Sequence, residues 1–500
     1  MTITTQLRSA ACLAALVAGG AVQADVTAAQ VWDDWKTQIM LYGEDSVSIG
    51  AEETGNGTLR VRDLEMSFDD PELAFRASLG DLRFVEEGDG SVRVTMDESY
   101  PVTLTGANGV VVNITVSQEA LDMVVSGDPD AMNYAITADK YTIALDEIVD
   151  GDVTVTGDIQ MVANDLVSNY VTSSSDMRNI SYDAEVASLD LLVDVQLPGG
   201  NSEYVTGGGK VENMVMSAEM VLPMDTDFND PDAMIADGFS FAGGYTVDNA
   251  AYIFDFNAEG DQASGSMSAG ASSIQGEVSN EIVGYEAQTK DVALSVTTSQ
   301  LPFPVEVGLS EYGVGFEMPM AKSDTPEDFG ISLDFIDLTL NDMVWNLFDP
   351  GSVLPRDPAT IQFALTGLAK PLFDFMDPSQ EAAINASDMP FELAAVDLEN
   401  LRIAAAGALV TGTGAFTFDN SDMQSFAPLP KPEGDVVVEI SGLNRLIDNL
   451  ISMGLVSQED AMAPRMMMGM FARSTGDDRM ETKLEVTADG RVLANGQQIR

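Results

Sequence analysis

The sequence has 500 residues, of which 23 are basic and 81 acidic, so its formal net charge is −58. It has no histidine and one cysteine, Cys12, which excludes catalysis through an imidazole base and metal sites built from histidine or thiolate. The negative charge excludes nucleic acid as a partner and favours a solvated, salt-adapted surface over an acidic surface that docks a basic partner.

The N-terminal stretch has the features of a secretory signal. Arg8 is the only charge before Asp25, a run of small and apolar residues follows it, and Val22 and Ala24 are the small residues that a signal peptidase recognises. We therefore expect residues 1–24 to be cleaved between Ala24 and Asp25. No later stretch reaches the roughly 20 apolar residues of a spanning helix, so we expect a soluble mature chain in the periplasm.

An amphipathic helix is predicted after this signal. Thr27 and Gln30 have the spacing of a capping box. One face of the helix carries apolar side chains, and Asp33 and Asp34 lie away from it, where we expect them to face water. The apolar positions are Ala28, Trp32, Trp35 and Ile39.

From about residue 57 onward the apolar pattern has the period of two that is typical of strands. Asn108-Gly109 is a hairpin turn signal, and the chain is predicted to turn back across residues 198–201. Strands are also predicted near 241–257, 303–320, 330–340 and 400–418. The sequence therefore predicts a mainly β (α+β) fold of long antiparallel sheets with short helices and one wet face.

Methionine is unusually frequent, with 27 residues. Three of them, Met214, Met216 and Met220, share one face of a predicted strand. Methionine fills irregular cores, and it also suits surfaces that adapt to apolar partners. These three side chains therefore either fill a core or line an apolar groove that holds a ligand such as a lipid.

Short internal repeats are present. The pentapeptide DPDAM occurs at 128–132 and at 230–234, and Asp349-Pro350 resembles its start. Aspartate followed by proline is typical of a helix start, so each copy is predicted to begin a short helix. Repeated units of sheet and short helix are therefore expected, in a β-rich region at 25–300 and a second one at 301–500.

The C-terminal segment, residues 441–500, is nearly neutral, with seven basic and eight acidic residues. Asn444 and Ser457 are predicted to cap two helices, and Gly454 is predicted to end the first. Turn signals at Asp489-Gly490 and Asn495-Gly496 predict a closing β-hairpin.

This C-terminus resembles a family of exported bacterial proteins, domain-of-unknown-function family 2125. The resemblance is carried by GLNRLID at 442–448, MGL at 453–455, the methionine-rich helix, and LANGQ at 493–497, with VWDDW at 31–35 near the other end. It implies export in a Gram-negative cell and brings no catalytic residue.

Two motifs invite other interpretations. Asp225, Asp227 and Asn229 have the spacing of a calcium loop, but Asp230 stands where glycine is needed, so a solvated loop is favoured over a looser calcium site. The GGGK run at 207–210 lacks the spacing and the hydroxyl of a phosphate loop.

The favoured function is therefore a non-enzymatic, exported protein without a cofactor that holds an apolar ligand. The alternatives are an assembly factor that docks a partner through the C-terminal segment and a hydrolase that uses two carboxylates.

Overall fold

The computed structural model describes residues 25–40, 46–69, 72–174, 177–197, 203–223, 231–258, 260–387 and 389–500. Its strands all pair antiparallel within a single sheet, and its helices are short, which confirms the predicted mainly β fold. The elements of the N-terminal part are α1 (Ala28–Met40), β1 (Val47–Ser48), β2 (Ala51–Gly55), β3 (Thr58–Asp69), β4 (Leu73–Glu86), β5 (Val92–Thr95), β6 (Ser99–Gly106), β7 (Val111–Glu119), β8 (Asp122–Asp128), β9 (Ala131–Asp150) and β10 (Val153–Val155).

The middle of the chain contains the longest strands. Its elements are β11 (Gly157–Ser174), β12 (Met177–Gln196), β13 (Tyr204–Pro223), α2 (Pro231–Ala236), β14 (Ser240–Val247), β15 (Asn249–Ala258), β16 (Asp261–Ala269), β17 (Ser272–Val278), β18 (Ile282–Thr298), β19 (Val305–Pro319) and β20 (Glu327–Leu340).

The C-terminal part ends in a helical pair and short strands, as predicted. Its elements are α3 (Asp342–Trp345), β21 (Ala359–Pro371), a 3-10 helix (Pro378–Gln380), α4 (Glu381–Asn385), β22 (Phe391–Ala405), β23 (Ala408–Asp419), β24 (Lys431–Ser441), α5 (Leu443–Ser452), α6 (Gln458–Phe471), β25 (Arg473–Gly476), β26 (Arg479–Val486), β27 (Val492–Ala494) and β28 (Gln497–Gln498).

The sheet follows the order of the chain almost throughout. From β18 to β24 each strand pairs with the next one, and β26 continues beside β24. In the N-terminal half, consecutive short strands lie end to end beside long ones, for example β14 and β15 along β13. Such a meander needs only short connections, and the turn at Asn495-Gly496 has the two positive φ angles, 49° and 82°, of a tight hairpin.

A line of irregular residues crosses the sheet near the middle of its long strands. It contains non-glycine residues with left-handed φ, and we call it the crease; its members are Asp63, Ala120, Asp165, Asn213, Asp291 and Asp337. Ala120 occupies the gap between β7 and β8, and the other five lie within strands. At this line the apolar residues of a strand change from odd to even numbers or the reverse. In β11, for example, they are odd-numbered before Asp165, as Met161 is, and even-numbered after it, as Leu166 is. Local irregularities of this kind bend a strand and increase its twist.

Both halves of the strands nevertheless contribute apolar side chains to one face. A cluster that contains Val61 and Leu64, on either side of Asp63, is buried under α1. A second cluster, around Val102 and Val116, lies across the crease from it. Leu79 packs against both clusters, so the apolar residues on the two sides of the crease lie on a common face.

The N-terminal helix covers one end of this face. Its capping box forms as predicted, because Thr27 N–H donates to Gln30 Oε1 at 2.9 Å. Trp32 is 1% exposed, and its ring lies 5.8 Å from that of Phe84. Trp32 is therefore a core residue, and Trp35, which is partly buried, packs against the same cluster.

The predicted exposure of Asp34 is wrong. Its side chain is 12% exposed and lies against Arg178, whereas the Asp33 side chain is 69% exposed. A polar side chain on the wet side of one helix can still be covered by the sheet beside it, which helical spacing alone does not reveal.

The two copies of the repeated pentapeptide fold differently. The copy at 230–234 leads into α2, as predicted, although Asp230 lies outside the described residues. In the copy at 128–132, however, Asp128 pairs with Ala131, so Pro129 and Asp130 form a turn between β8 and β9. The helix predicted there is wrong, because strand pairing overrides the local preference.

The third predicted helix start is also wrong. Asp349 follows α3 in a turn, where its buried carboxylate accepts hydrogen bonds from Val353 N–H and Leu354 N–H, both at 2.9 Å.

The predicted caps of the C-terminal helices are confirmed in part. Ser457 Oγ accepts a hydrogen bond from Asp460 N–H at 3.1 Å, and Gly454 ends α5 with a φ of 74°. Asn444 is not the cap of α5. Asp478 caps this helix from outside by accepting from the N–H groups of Asn444 and Arg445, at 3.1 and 3.0 Å.

Candidate functional site

One face of the sheet is apolar across nearly its whole width. Directly paired residues of neighbouring strands lie on the same face, so a row of partners can be followed from strand to strand. The row through Met216 contains Leu59, Phe84, Val94, Met123, Ile136, Ser168, Ala184, Met216, Tyr245, Ile274, Ala287, Val314, Leu333, Phe363, Leu401, Gly412, Val438 and Thr482.

A second apolar row lies on the other side of the crease. It contains Val116, Ile143, Met161, Leu191, Gly209, Tyr252, Met267, Leu294, Val307 and Leu340. The two rows define what we call the apolar face.

The opposite face is polar. The row next to Met216 contains Asp183, Ser217, Gly244, Gln275, Glu286, Gly315, Ser332, Ala364 and Asn400. The sheet is therefore amphipathic, and the prediction of one wet face is confirmed.

The burial of side chains varies along the apolar face. Under α1, Phe84 and Val125 are fully buried. Farther along the sheet, Tyr285, Phe316 and Ile331 are neighbours in one row and are 44%, 39% and 48% exposed. An apolar surface that continues from a closed core into the open is where soluble proteins bind apolar partners.

The three predicted methionines lie in this open part. Met214 pairs with Val186, Met216 with Ala184, and Met220 with Ile180, and all three methionines are half-buried. Their common face is therefore confirmed, while ligand binding by that face stays a prediction. Of the predicted cleavage site, Ala24 lies outside the described residues, and Asp25 is exposed at their start.

Two shallow depressions, of about 520 and about 420 Å³, lie on the sheet. Most residues that line them alternate with the apolar rows, for example Ser268 and Gly308 in the larger one and Ser181 and Glu219 in the smaller one. The remaining lining residues belong to the apolar rows, for example Met267 in the larger depression and Met220 in the smaller one.

Comparison with known proteins identifies the family. A family model described as an uncharacterized protein conserved in bacteria, DUF2125, matches residues 240–497. The chain belongs to DUF2125. This range contains the C-terminal motifs at 442–448, 453–455 and 493–497, whereas the VWDDW motif at 31–35 lies outside it.

No curated protein and no solved structure matches the chain.

In this DUF2125 protein a buried polar cluster lies where α1 meets the apolar face. Arg178 Nη2 lies 3.4 Å from Asp34 Oδ1, and Tyr134 donates to Asp34 Oδ2 at 2.7 Å. Tyr170 donates to Gln38 Oε1 at 3.0 Å. Burial and the Asp34 carboxylate raise the pKa of Tyr134, so this phenol stays protonated and keeps donating.

Sequence reasoning missed this cluster, although a signal for it exists. Arg178 occupies the position of an apolar residue in a strand whose next members on that face are Ile180, Tyr182 and Ala184. A charge in such a series marks a buried polar contact.

Two of the sequence motifs have interpretations other than a binding site. The acidic loop, residues 224–230, lies outside the described residues, so its favoured interpretation as a solvated loop stays a prediction. Among the residues that the structure describes, no group of His, Cys, Asp or Glu side chains suited to a metal occurs. Residues 207–210 form part of β13 and pair on both sides, with β12 and β15, so they are no phosphate loop.

Carboxylates also meet on the polar face. Burial, together with Asp328 and Glu277, raises the pKa of Glu317.

The methionine-rich helix α6 is open to solvent. Four of its methionines are exposed: Met462 by 63%, Met466 by 64%, Met467 by 58% and Met470 by 67%. Ala461, in contrast, is buried. In the part of the chain that the structure describes, no helix is long and apolar enough to cross a membrane.

Proposed function

We propose that this protein is an exported, non-enzymatic binding protein that holds the acyl chains of a lipid on the apolar face of its sheet. The observation that carries the proposal is the row through Met216, which stays apolar over many strands and is only partly covered beyond β9. Apolar surface left in water costs about 25 cal/mol per Å², so an extended open face of this kind favours an apolar ligand.

The dimensions of the face suit acyl chains. Twelve members of the row, from Ser168 to Val438, follow β9 along the sheet. At about 4.8 Å between neighbouring strands they span roughly 50 Å. One leaflet of a bilayer core is roughly 15 Å thick, so the face is long enough for several chains in sequence.

Two neighbouring residues of β13 provide a matched test. Met216 lies on the apolar face and Ser217 on the polar face of the same strand. We expect organic extracts of the purified wild-type protein to contain lipid by mass spectrometry, extracts of Met216→Asp to contain much less, and extracts of Ser217→Asp to match the wild type.

A fluorescent fatty-acid displacement assay on delipidated protein complements this test. A clean wild-type extract together with absence of fatty-acid binding would contradict the proposal.

Export to the periplasm is part of the proposal, supported by the signal-like residues 1–24. N-terminal sequencing of the protein from the periplasmic fraction should begin at Asp25. Mature protein that still starts at Met1 would contradict this location.

A second function, docking of a protein partner through the C-terminal segment, is favoured by the exposed methionines of α6. Methionine side chains adapt to varied apolar surfaces. If this function holds instead, replacing Met466 and Met470 by serine should abolish partner cross-linking in cells and leave lipid content unchanged. Hydrolysis by two carboxylates is the third alternative.

A further inference from the structure

A buried arginine lies on the apolar face at the end covered by α1. Arg178 is 6% exposed and pairs across the sheet with Leu222, which is 7% exposed. The next residue of β12 on the same face is Ile180, whose row runs through Thr172, Met220 and Phe241. The guanidinium therefore lies next to a row of mostly apolar side chains that crosses several strands.

The hydrogen bonding of this guanidinium is incomplete. Nη2 faces Asp34 at 3.4 Å, while Nη1 is buried and has no hydrogen-bond partner. Two hydroxyls on the same face, Thr172 Oγ1 and Ser168 Oγ, are also buried without a partner, and these residues are 3% and 5% exposed. Unsatisfied polar groups in a protein interior are costly. Thr172 lies one row from Arg178 on this face, so these two groups together indicate a missing ligand, whereas Ser168 lies two rows farther along β11.

We propose that Arg178 and Thr172 bind the anionic head group, a carboxylate or a phosphate, of an amphiphile whose chain runs over Ile180 and Met220. This inference rests on the proposed function and adds the class of head group and its position.

The chemistry of the cluster fits such a ligand. A guanidinium presents a planar fork of N–H donors that matches a carboxylate or a phosphate, and a hydroxyl can donate to the same oxygens. Asp34 is held by Tyr134 and occupies only one side of the fork. The strongly acidic surface would repel a free anion, whereas an acyl chain on the apolar face supplies the binding energy that brings its head group to Arg178.

The test compares a long-chain fatty acid, the corresponding alkyl phosphate and the methyl ester of the acid, each binding to the full mature chain. For Arg178→Gln we expect the affinity for both anions to fall at least tenfold and the affinity for the ester to stay unchanged. Arg402→Gln, at an exposed arginine of the polar face, should behave as the wild type. The anion that binds more tightly to the wild type identifies the head group as a carboxylate or a phosphate.

Two further variants separate binding from a purely structural pairing of Arg178 with α1. Asp34→Asn removes the competing carboxylate and should strengthen binding of the anions, whereas loss of a structural contact would weaken all three probes together. Thr172→Val keeps the shape of the side chain and should weaken only the anions.

Equal binding of acid, phosphate and ester to the wild type, unchanged in Arg178→Gln, would overturn this inference and leave the proposed function standing. Failure of all three probes to bind the wild type would overturn both.

Discussion

Met132 and Met220 offer a direct measure of how open the apolar face is. They lie in one row, Met132–Thr172–Ile180–Met220, but Met132 is 3% exposed under α1 and Met220 is half-buried beyond its cover. Replacing either by alanine removes the same three atoms, Cγ, Sδ and Cε. Any difference in stability loss therefore reports the surroundings.

The expected magnitudes follow from burial. At Met132 the lost transfer energy, roughly 0.8 kcal/mol for each buried group, is joined by the cost of a closed cavity, which gives about 3–4 kcal/mol. At Met220 water reaches the vacated space, so no closed cavity forms, and only part of the transfer energy is lost, about 1–1.5 kcal/mol. The assay is urea unfolding of delipidated protein followed by circular dichroism. A loss at Met220 equal to that at Met132 would refute an open face at β13.

Three other outcomes are expected. Because the net charge is −58, the melting temperature should rise between low and sea-like salt, and a flat profile would argue against a solvated acidic surface. The pKa of Glu317 in the folded protein is raised above its ordinary value of 4.5. The folded protein therefore binds a proton at Glu317 more tightly than the unfolded chain does, and the free energy of unfolding falls as pH rises through the raised value. Glu317→Gln should therefore gain melting temperature over the wild type at neutral pH and little at pH 4; an equal gain at both would contradict the raised pKa. Asn213 has a φ of 52° and donates to Asp248, a bond that both Asn213→Gly and Asn213→Val lose. The valine variant should cost about 1–2 kcal/mol more in urea unfolding because L side chains disfavour left-handed φ; equal costs would exclude strain at the crease.

Much of the sheet is predictable because strand alternation is a local property. The positions of Met214, Met216 and Met220 on one face follow from spacing alone, and the pairing of β12 with β13 confirms it. Turn chemistry is equally local, as Asn495-Gly496 shows. Spacing does not predict how far a side chain is buried by other elements. The same alternation applies to Met132, which is buried under a helix, and to Met216, which is partly exposed.

The errors have a common physical cause, which is long-range contact. Asp34 is polar by helical spacing, yet Tyr134, 100 residues away, donates to it. The pentapeptide at 128–132 has a good helix start, yet the pairing of Asp128 with Ala131 holds it as a turn. Local preferences worth a fraction of a kcal/mol give way to such contacts.

The crease was also missed, although the sequence contains its signal. In β12 the apolar series runs over even positions up to Val186 and over odd positions from Leu189 onward. In β11 and β13 the corresponding change falls at Asp165 and Asn213, residue types that tolerate left-handed φ. A change of parity next to aspartate or asparagine therefore predicts an irregular site within a long strand.

The chain-order pairing of the strands has a consequence for how such a protein can vary in size. Among the described strands, each one from β19 to β24 pairs with just two others, one on either side, so insertion of one extra hairpin would disturb the pairing at a single strand boundary. Each added pair would lengthen the sheet by about 10 Å while the covered end under α1 and the exposed helix α6 keep their own surroundings. The length of the sheet can therefore change in steps of one hairpin. The end under α1 and the end that carries α6 can each change in sequence without altering the other.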